Sequence, residues 1–332
     1  MKNKIDLLNV FLVLLCGTLA YFFPLKVFLL SFAILGPLHY LTEINWLNTN
    51  NYFTRSKKKL WLIIGVLTSL IVIVPRLYFE FLGRNNSDFL SIFLLKINHW
   101  SNGAIFFCLL LAVGSQFIKK QRDWGILILL TLLGTYFLNR LETFTMIVGV
   151  LIPTIVHVYI FTLLFMLYGA KKTKSKVAYI SIVLALVVPI VFTFIPIDPD
   201  NYSFSDYFKS ALIDNHLHRI PVVFSKLLGL SDGSSFFFYE VLELRMMMFI
   251  SFIYLYHYLN WFSKTTTIFW HKTLTLKRSA FIGSFWLFLL ILFYCDFKIG
   301  LLAALFFSFL HVVLEFPLNI ASIKSLFISN KK

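Results

Sequence analysis

Four histidines lie inside hydrophobic segments of this chain, where ionisable side chains are costly and usually serve a function. They are His39, His157, His257 and His311. A glutamate follows two of them after four residues, in the pairs His39/Glu43 and His311/Glu315. This spacing places imidazole and carboxylate on the same face of a helix. Neutral imidazole is the commonest metal ligand, so the pattern predicts a metal site within a membrane.

Three further polar residues are placed to support such a site. A histidine that binds a metal usually donates its second ring N–H to a carboxylate or a carbonyl oxygen. Glu43 and Glu315 are spaced to accept that hydrogen bond, or to bind the metal directly. Asn260 follows His257 by three residues and shares its helical face. We therefore predict the four histidines as metal ligands and Glu43, Glu315 and Asn260 as catalytic or orienting residues.

The composition of the chain is that of a membrane protein. Hydrophobic residues make up 59% and charged residues 14% of its 332 residues, whereas an ordinary soluble domain is about half apolar and about a quarter charged. Long apolar runs recur from end to end. The sequence predicts an all-α, polytopic transmembrane bundle, forming one integral membrane domain over residues 1–332 and crossing the bilayer about ten times.

The apolar runs give the expected positions of the ten spans. They lie at about residues 5–23, 25–47, 60–79, 89–117, 124–138, 143–169, 177–196, 236–262, 279–294 and 298–318. Pro24 marks a tight turn between the first two spans. A connection at about 197–235 is long, and its apolar periodicity predicts one or two short helices on the outer face of the membrane.

Basic residues predict the orientation of the chain. They form six clusters: Lys2 and Lys4; Arg55, Lys57, Lys58 and Lys59; Lys119, Lys120 and Arg122; Lys171, Lys172, Lys174 and Lys176; Lys264, Lys272, Lys277 and Arg278; and Lys324, Lys331 and Lys332. All six fall in alternate connections, which the positive-inside rule places in the cytoplasm together with both termini. We therefore predict a multi-pass protein of the cytoplasmic membrane.

The predicted topology gathers the four histidines at one depth. The second, sixth, eighth and tenth spans carry one histidine each and run in the same direction, from outside to inside. Their imidazoles are therefore expected to converge in the inner half of the bilayer. Iron, zinc and copper are the metals that such a set of imidazole ligands suits.

Other classes of function find no support in the sequence. The net charge of +15 does not indicate nucleic-acid binding, because the basic residues form short clusters between apolar segments. The chain has no Walker A loop and no GxGxxG, GxSxG or HExxH motif. The histidine clusters of membrane desaturases are also missing. Chemistry driven by ATP and hydrolysis of the soluble type are therefore not predicted.

Four short segments resemble one enzyme family. The run Gly36–Glu43 (GPLHYLTE) resembles the Gly-Leu-Pro-His…Asp motif of the Brp/Blh-type β-carotene 15,15′-dioxygenases. Later segments around His157, His257 and His311 resemble the family's other histidine-bearing spans, in the same order. The chain departs from the pattern at Trp261, where the family has a second histidine, and in having glutamates for aspartates. The resemblance implies histidine-bound ferrous iron that uses O₂ to cleave carotene.

We expect an iron-dependent oxygenase embedded in the lipid bilayer and acting on a carotenoid or another apolar lipid. The 39 phenylalanines suit an apolar pocket, and they equally suit ordinary packing against lipid. Two alternatives stay open. Intramembrane His/Glu pairs also serve as proton relays in transporters. Polar residues also join helices in non-catalytic membrane subunits.

Overall fold

The computed structural model of the chain describes residues 2–50, 58–83 and 88–327. Four members of the basic clusters, Arg55, Lys57, Lys331 and Lys332, lie outside the described residues. Over the described ranges the regular structure is helical throughout, which confirms the all-α class.

Sixteen α-helices follow one another through the described ranges. In the first half these are α1 (Lys2–Phe22), α2 (Pro24–Leu30), α3 (Gly36–Thr49), α4 (Lys58–Leu82), α5 (Phe89–His99), α6 (Ser101–Phe117), α7 (Gln121–Leu138) and α8 (Glu142–Met146). In the second half they are α9 (Thr162–Thr173), α10 (Lys176–Phe194), α11 (Asp206–Asp214), α12 (Arg219–Leu227), α13 (Val241–Ser263), α14 (Thr265–Ile268), α15 (Leu276–Cys295) and α16 (Phe297–Phe327).

Two π-helical segments interrupt this pattern. Residues Ser31–Leu35 join α2 to α3, and residues Ile147–Phe161 join α8 to α9. A π-helix bonds residue i to residue i+5, is rare, and is found often at functional sites. Here the first segment ends four residues before His39, and the second contains His157.

The number of helices able to span a membrane is lower than predicted. By length and composition, seven described helices are long and apolar enough, or eight if the bent pair α5–α6 counts as one span. The other two predicted spans exist as helices, α7 and α13, but they are more polar. Gln121, Arg122 and Asp123 open α7. Almost every residue of α13 from Leu244 onward is buried by protein, so this helix does not need a lipid-like surface.

The chain forms two compact units. The first contains Met1–Thr42 and Thr154–Leu301, and the second contains Glu43–Pro153 and Leu302–Lys332. At the centre of the first unit is α13, which packs against α1, α2, α10 and α12. Buried aromatic rings fill the contact between α2 and α13, as in the edge-to-face pair Phe28 and Tyr254. The Trp286 indole on α15 donates a hydrogen bond to the Ile34 carbonyl at 2.8 Å.

The second unit is built around α4, α5, α6 and α7. Asn139 closes one end by donating a hydrogen bond to the His99 carbonyl at 2.7 Å. Asp88 begins α5 by accepting hydrogen bonds from the Ser91 amide and the Tyr78 hydroxyl. These bonds, the Tyr78 bond foremost, hold the pKa of the Asp88 carboxyl below its ordinary value.

The connection at about 197–235 contains two short helices, α11 and α12. Ile220, Pro221 and Val223 are buried on one face of α12, and the helix packs against α13. The Phe224 ring stacks on Phe249 of α13 with centroids 5.2 Å apart. This segment therefore folds onto the first unit. The side of the membrane on which it lies stays a prediction.

A glycine in the first turn of α16 allows α15 and α16 to approach closely. A Cβ atom built at Gly300 would lie 2.6 Å from the backbone N and Cα atoms of Phe293, which cannot rotate away. We expect Gly300→Ala to lower the free energy of unfolding by about 1–3 kcal/mol. Thermal unfolding in detergent would measure this. Gly283→Ala on α15 is the matched control, because a Cβ there has no neighbour within 4 Å; equal effects of both variants would contradict the prediction.

Candidate functional site

Three of the four predicted histidines meet in the interior of the first unit. They are His39 on α3, His157 in the long π-helical segment, and His257 on α13. His39 and His157 are only 1% and 2% exposed, so neither ring reaches bulk solvent. His257 is also buried, on the face of α13 that its neighbours cover.

His257 lies between the other two rings. Its Nε2 atom is 3.0 Å from the Nε2 atom of His39. The ring centroids are 4.6 Å apart for His39 and His257 and 5.2 Å apart for His157 and His257. One ring nitrogen of His39 and one of His157 lie within 4.8 Å of one another. His257 is therefore within hydrogen-bonding distance of His39, and the ring of His157 lies beside both.

A threonine fixes the orientation of the central ring. The Thr162 hydroxyl lies 2.7 Å from Nδ1 of His257 and donates its own proton to the Val158 carbonyl at 2.8 Å. Because the hydroxyl proton is already used in the bond to Val158, the hydroxyl oxygen accepts the hydrogen bond from His257, and His257 Nδ1 is its donor. His257 therefore carries its proton on Nδ1 and turns the lone pair of Nε2 toward His39. This is the arrangement in which a histidine binds a metal through Nε2.

Aromatic side chains enclose the histidines. The rings of Tyr258 and Trp261 lie 5.2 Å and 5.4 Å from the ring of His39. Trp261 is held in place by its indole N–H, which donates to the Thr42 hydroxyl at 3.1 Å. Trp261 thus forms part of the wall around His39. The histidines are consequently lined by aromatic rings, with the Thr42 and Thr162 hydroxyls among the few polar groups beside them.

The separation of the histidine nitrogens fits a shared metal ion. Imidazole nitrogens bind zinc and similar ions at about 2.0–2.1 Å. Two nitrogens at that distance from one ion are about 3.0 Å apart when the angle between the bonds is near 90°, and about 3.4 Å apart for a tetrahedral angle. The Nε2 atoms of His39 and His257 are at hydrogen-bonding distance, and their 3.0 Å separation also equals the value expected for a 90° angle at a shared ion. Three buried imidazoles also match the donor set that first-row transition metals prefer.

A second polar cluster lies in the second unit. The carboxyl groups of Glu43 and Glu315 are hydrogen-bonded to one another. The Asn319 amide donates a further hydrogen bond to Oε2 of Glu315 at 3.1 Å. All three side chains are buried. Two carboxyl groups can share a hydrogen bond only if at least one carries a proton, so this cluster holds a proton in an apolar environment.

His39, His157 and His257 come together in the first unit, and Glu43 and Glu315 come together in the second. His311 is buried on α16, one turn before Glu315. Its role as a fourth ligand stays a prediction.

Asn260 is buried on α13, one turn beyond His257. Within the part of the chain that the structure describes, its side-chain oxygen has no hydrogen-bond partner. Its catalytic or orienting role therefore stays a prediction.

Sequence reasoning missed Thr162. It follows His157 by five residues, a spacing that puts two residues on different faces of an α-helix. The long π-helical segment ends at Phe161, directly before Thr162, and its i to i+5 pattern brings residues five apart into line. Both residues consequently reach His257. A hydroxyl residue five positions after a buried histidine, following a segment that contains Pro153, was the only available signal.

Comparison of the chain with models of protein families, with curated proteins and with solved structures gave no match.

Proposed function

We propose that this chain is an integral membrane metalloenzyme whose metal ion is held by His39, His157 and His257. One observation carries the proposal: the 3.0 Å separation between the Nε2 atoms of two buried histidines, with Thr162 orienting one of them. Buried imidazoles in a membrane protein are costly unless they are used. The sequence-based prediction that His311 is a further ligand is part of the proposal.

Each side chain has a defined task in this proposal. The three histidines bind the ion, and Thr162 holds the Nδ1 proton of His257 so that Nε2 stays a ligand. Tyr258 and Trp261 exclude water from the histidines. A bound iron ion would supply the activation of O₂ or the polarisation of the substrate. The apolar wall suits a membrane-soluble substrate, and the family resemblance suggests a carotenoid or another apolar lipid.

Elemental analysis tests the proposal. Protein purified in mild detergent, and again after anaerobic reconstitution with ferrous iron, is expected to contain about one metal ion per chain. The variant His39→Ala/His257→Ala is expected to contain almost none. Circular dichroism would show that the variant remains helical. Lack of stoichiometric metal in the wild-type protein after both treatments would refute the metal site. Metal binding would justify incubation with carotenoids under O₂ and a search for aldehyde products.

The hydroxyl of Thr162 provides a finer test. Thr162→Val keeps the volume of the side chain and removes the acceptor for the Nδ1 proton of His257. Loss of such an orienting group typically weakens metal binding about 10–100-fold. We expect a reduction of this size in competition titrations against a chelator. Thr162→Ser, which retains the hydroxyl, should bind the metal nearly as well as the wild type; equal affinities of the valine and serine variants would contradict the assigned role.

A proton-coupled transporter is the second candidate, and the carboxyl pair favours it. Glu43 and Glu315 share a proton in an apolar environment, as the proton relays of transporters do. If this candidate is correct, uptake driven by a pH gradient in proteoliposomes should be lost in Glu43→Gln and Glu315→Gln. Stoichiometric metal without proton flux would favour the metalloenzyme.

A further inference from the structure

The second unit contains a cavity that has no role in the proposed metal site. Its volume is about 400 Å³, and its walls are formed by α4, α5, α6 and α7. Ile71, Phe107 and Leu132 give it an apolar lining, while Lys96, Trp100 and Thr135 are its more polar members. Ligand pockets in proteins are typically about 300–1,000 Å³ in volume and mostly apolar, with a few polar groups that fix the ligand. The cavity has these properties.

A break between two helices creates this space. The helices α5 and α6 are bent by 41° relative to one another at Trp100. One turn into α6, Gly103 lets α7 approach closely, since a Cβ at that position would lie 2.3 Å from Cγ2 of Thr135. Lys96 and Ile97 before this bend and Gly103 after it all line the cavity.

One end of the cavity carries the features of a membrane interface. The Trp100 and Tyr136 rings stack with centroids 6.2 Å apart, and the Arg140 guanidinium lies 4.7 Å from the Tyr136 ring. Lys96 precedes Trp100 by one helical turn and is exposed. Tryptophan, tyrosine and basic side chains together are typical of the level of the lipid headgroups. Lys96 and Arg140 therefore place two positive charges at the same end of the cavity as the Trp100 and Tyr136 rings.

A buried hydroxyl also lines the cavity. Thr135 is 5% exposed and lines the cavity. Within residues 2–50, 58–83 and 88–327, its Oγ1 atom has no hydrogen-bond partner. Thr131, one turn earlier on α7, donates its hydroxyl proton to the Leu127 carbonyl at 2.7 Å. A buried polar atom without a partner is costly, so Thr135 indicates a ligand that carries a hydrogen-bonding group at this depth.

We propose that the cavity binds one acyl chain of an anionic membrane phospholipid. The hydrocarbon chain occupies the apolar space between Phe107 and Leu132. The phosphate lies at the interface end, where Lys96 and Arg140 supply positive charge, and an ester carbonyl accepts the hydrogen bond of Thr135. Thr135 precedes Arg140 by five residues on and just after α7, so hydroxyl and charge follow one another as the ester and the phosphate do in a phospholipid. A zwitterionic lipid has no net charge for the two basic residues to attract.

Native mass spectrometry of the full chain, released from mild detergent, tests the proposal. The probes are phosphatidylglycerol and phosphatidylcholine with identical chains. We expect phosphatidylglycerol to bind at one retained site and phosphatidylcholine to bind more weakly. Removal of one positive charge, in Lys96→Gln or Arg140→Gln, should weaken phosphatidylglycerol binding about fivefold. The control Lys176→Gln removes an exposed charge at the start of α10, in the first unit, and should leave binding unchanged.

A variant that fills the cavity completes the test. Ala104→Phe adds a ring to the cavity wall and is expected to abolish retention of the lipid while leaving the helical circular dichroism intact. If Ala104→Phe does not fold, Thr135→Val, which removes only the hydroxyl, should still weaken binding severalfold. Equal retention of both lipids would overturn the proposal. Retention of detergent alone would also overturn it. A dimer that Ala104→Phe disrupts would do the same, because a second copy of the chain would then occupy the cavity. Metal content does not depend on the lipid, so failure here leaves the metal site untouched.

Discussion

Replacing His257 with alanine is expected to reduce the metal content of the purified protein from about one ion per chain to almost none. His257 is the central ring of the three: its Nε2 lies 3.0 Å from that of His39, and its ring centroid lies 5.2 Å from that of His157. Its loss removes the ring nitrogen that lies nearest to Nε2 of His39. Because loss of an orienting residue alone costs about 10–100-fold in affinity, loss of this ligand should cost at least about 100-fold.

The control for this experiment is a histidine outside the site. His271 is exposed in the turn after α14, and His271→Ala should retain the full metal content. His257→Asn, which keeps a polar side chain at the position, separates loss of the ligand from the effect of an empty space. Unchanged metal content in both His257 variants would show that the ion binds elsewhere. His311→Ala belongs in the same series, because a loss of affinity there would support the fourth ligand that the sequence predicts.

The carboxyl pair of Glu43 and Glu315 is expected to hold a proton at neutral pH. Two carboxyl groups joined by a hydrogen bond share at least one proton, and burial of a second negative charge in the same apolar place is strongly unfavourable. Infrared spectroscopy should therefore show the carbonyl stretching band of a protonated carboxyl group. The band should disappear in Glu43→Gln/Glu315→Gln.

Two further variants make the infrared assignment specific. Asn319→Ala removes the amide that donates to Oε2 of Glu315 and should shift the band without abolishing it. Glu142→Gln, at an exposed position at the start of α8, should leave it unchanged. The assignment is wrong if the wild-type protein has no such band, or if the band survives in the double variant.

Much of the fold could be predicted from local sequence. The apolar composition determined the all-α membrane class, and long apolar runs located the helices. Pro24 marked the turn between the first two helices, because its ring suits the first residue of a helix. Hydropathy was a poorer guide for α13. Its polar residues lower its mean hydropathy, yet the surrounding helices bury it. Burial by other helices cannot be inferred from the sequence of one segment.

The sequence by itself identified which residues matter: the buried histidines and the glutamates spaced four residues after two of them. It could not decide their partners. Helical spacing linked each glutamate to its own histidine, whereas the tertiary structure joins His39 to His257, 218 residues away, and Glu43 to Glu315. It also brings Thr162 to His257 across a π-helical segment. A helical repeat fixes only the face on which a side chain lies, and the packing of distant segments decides what that face meets.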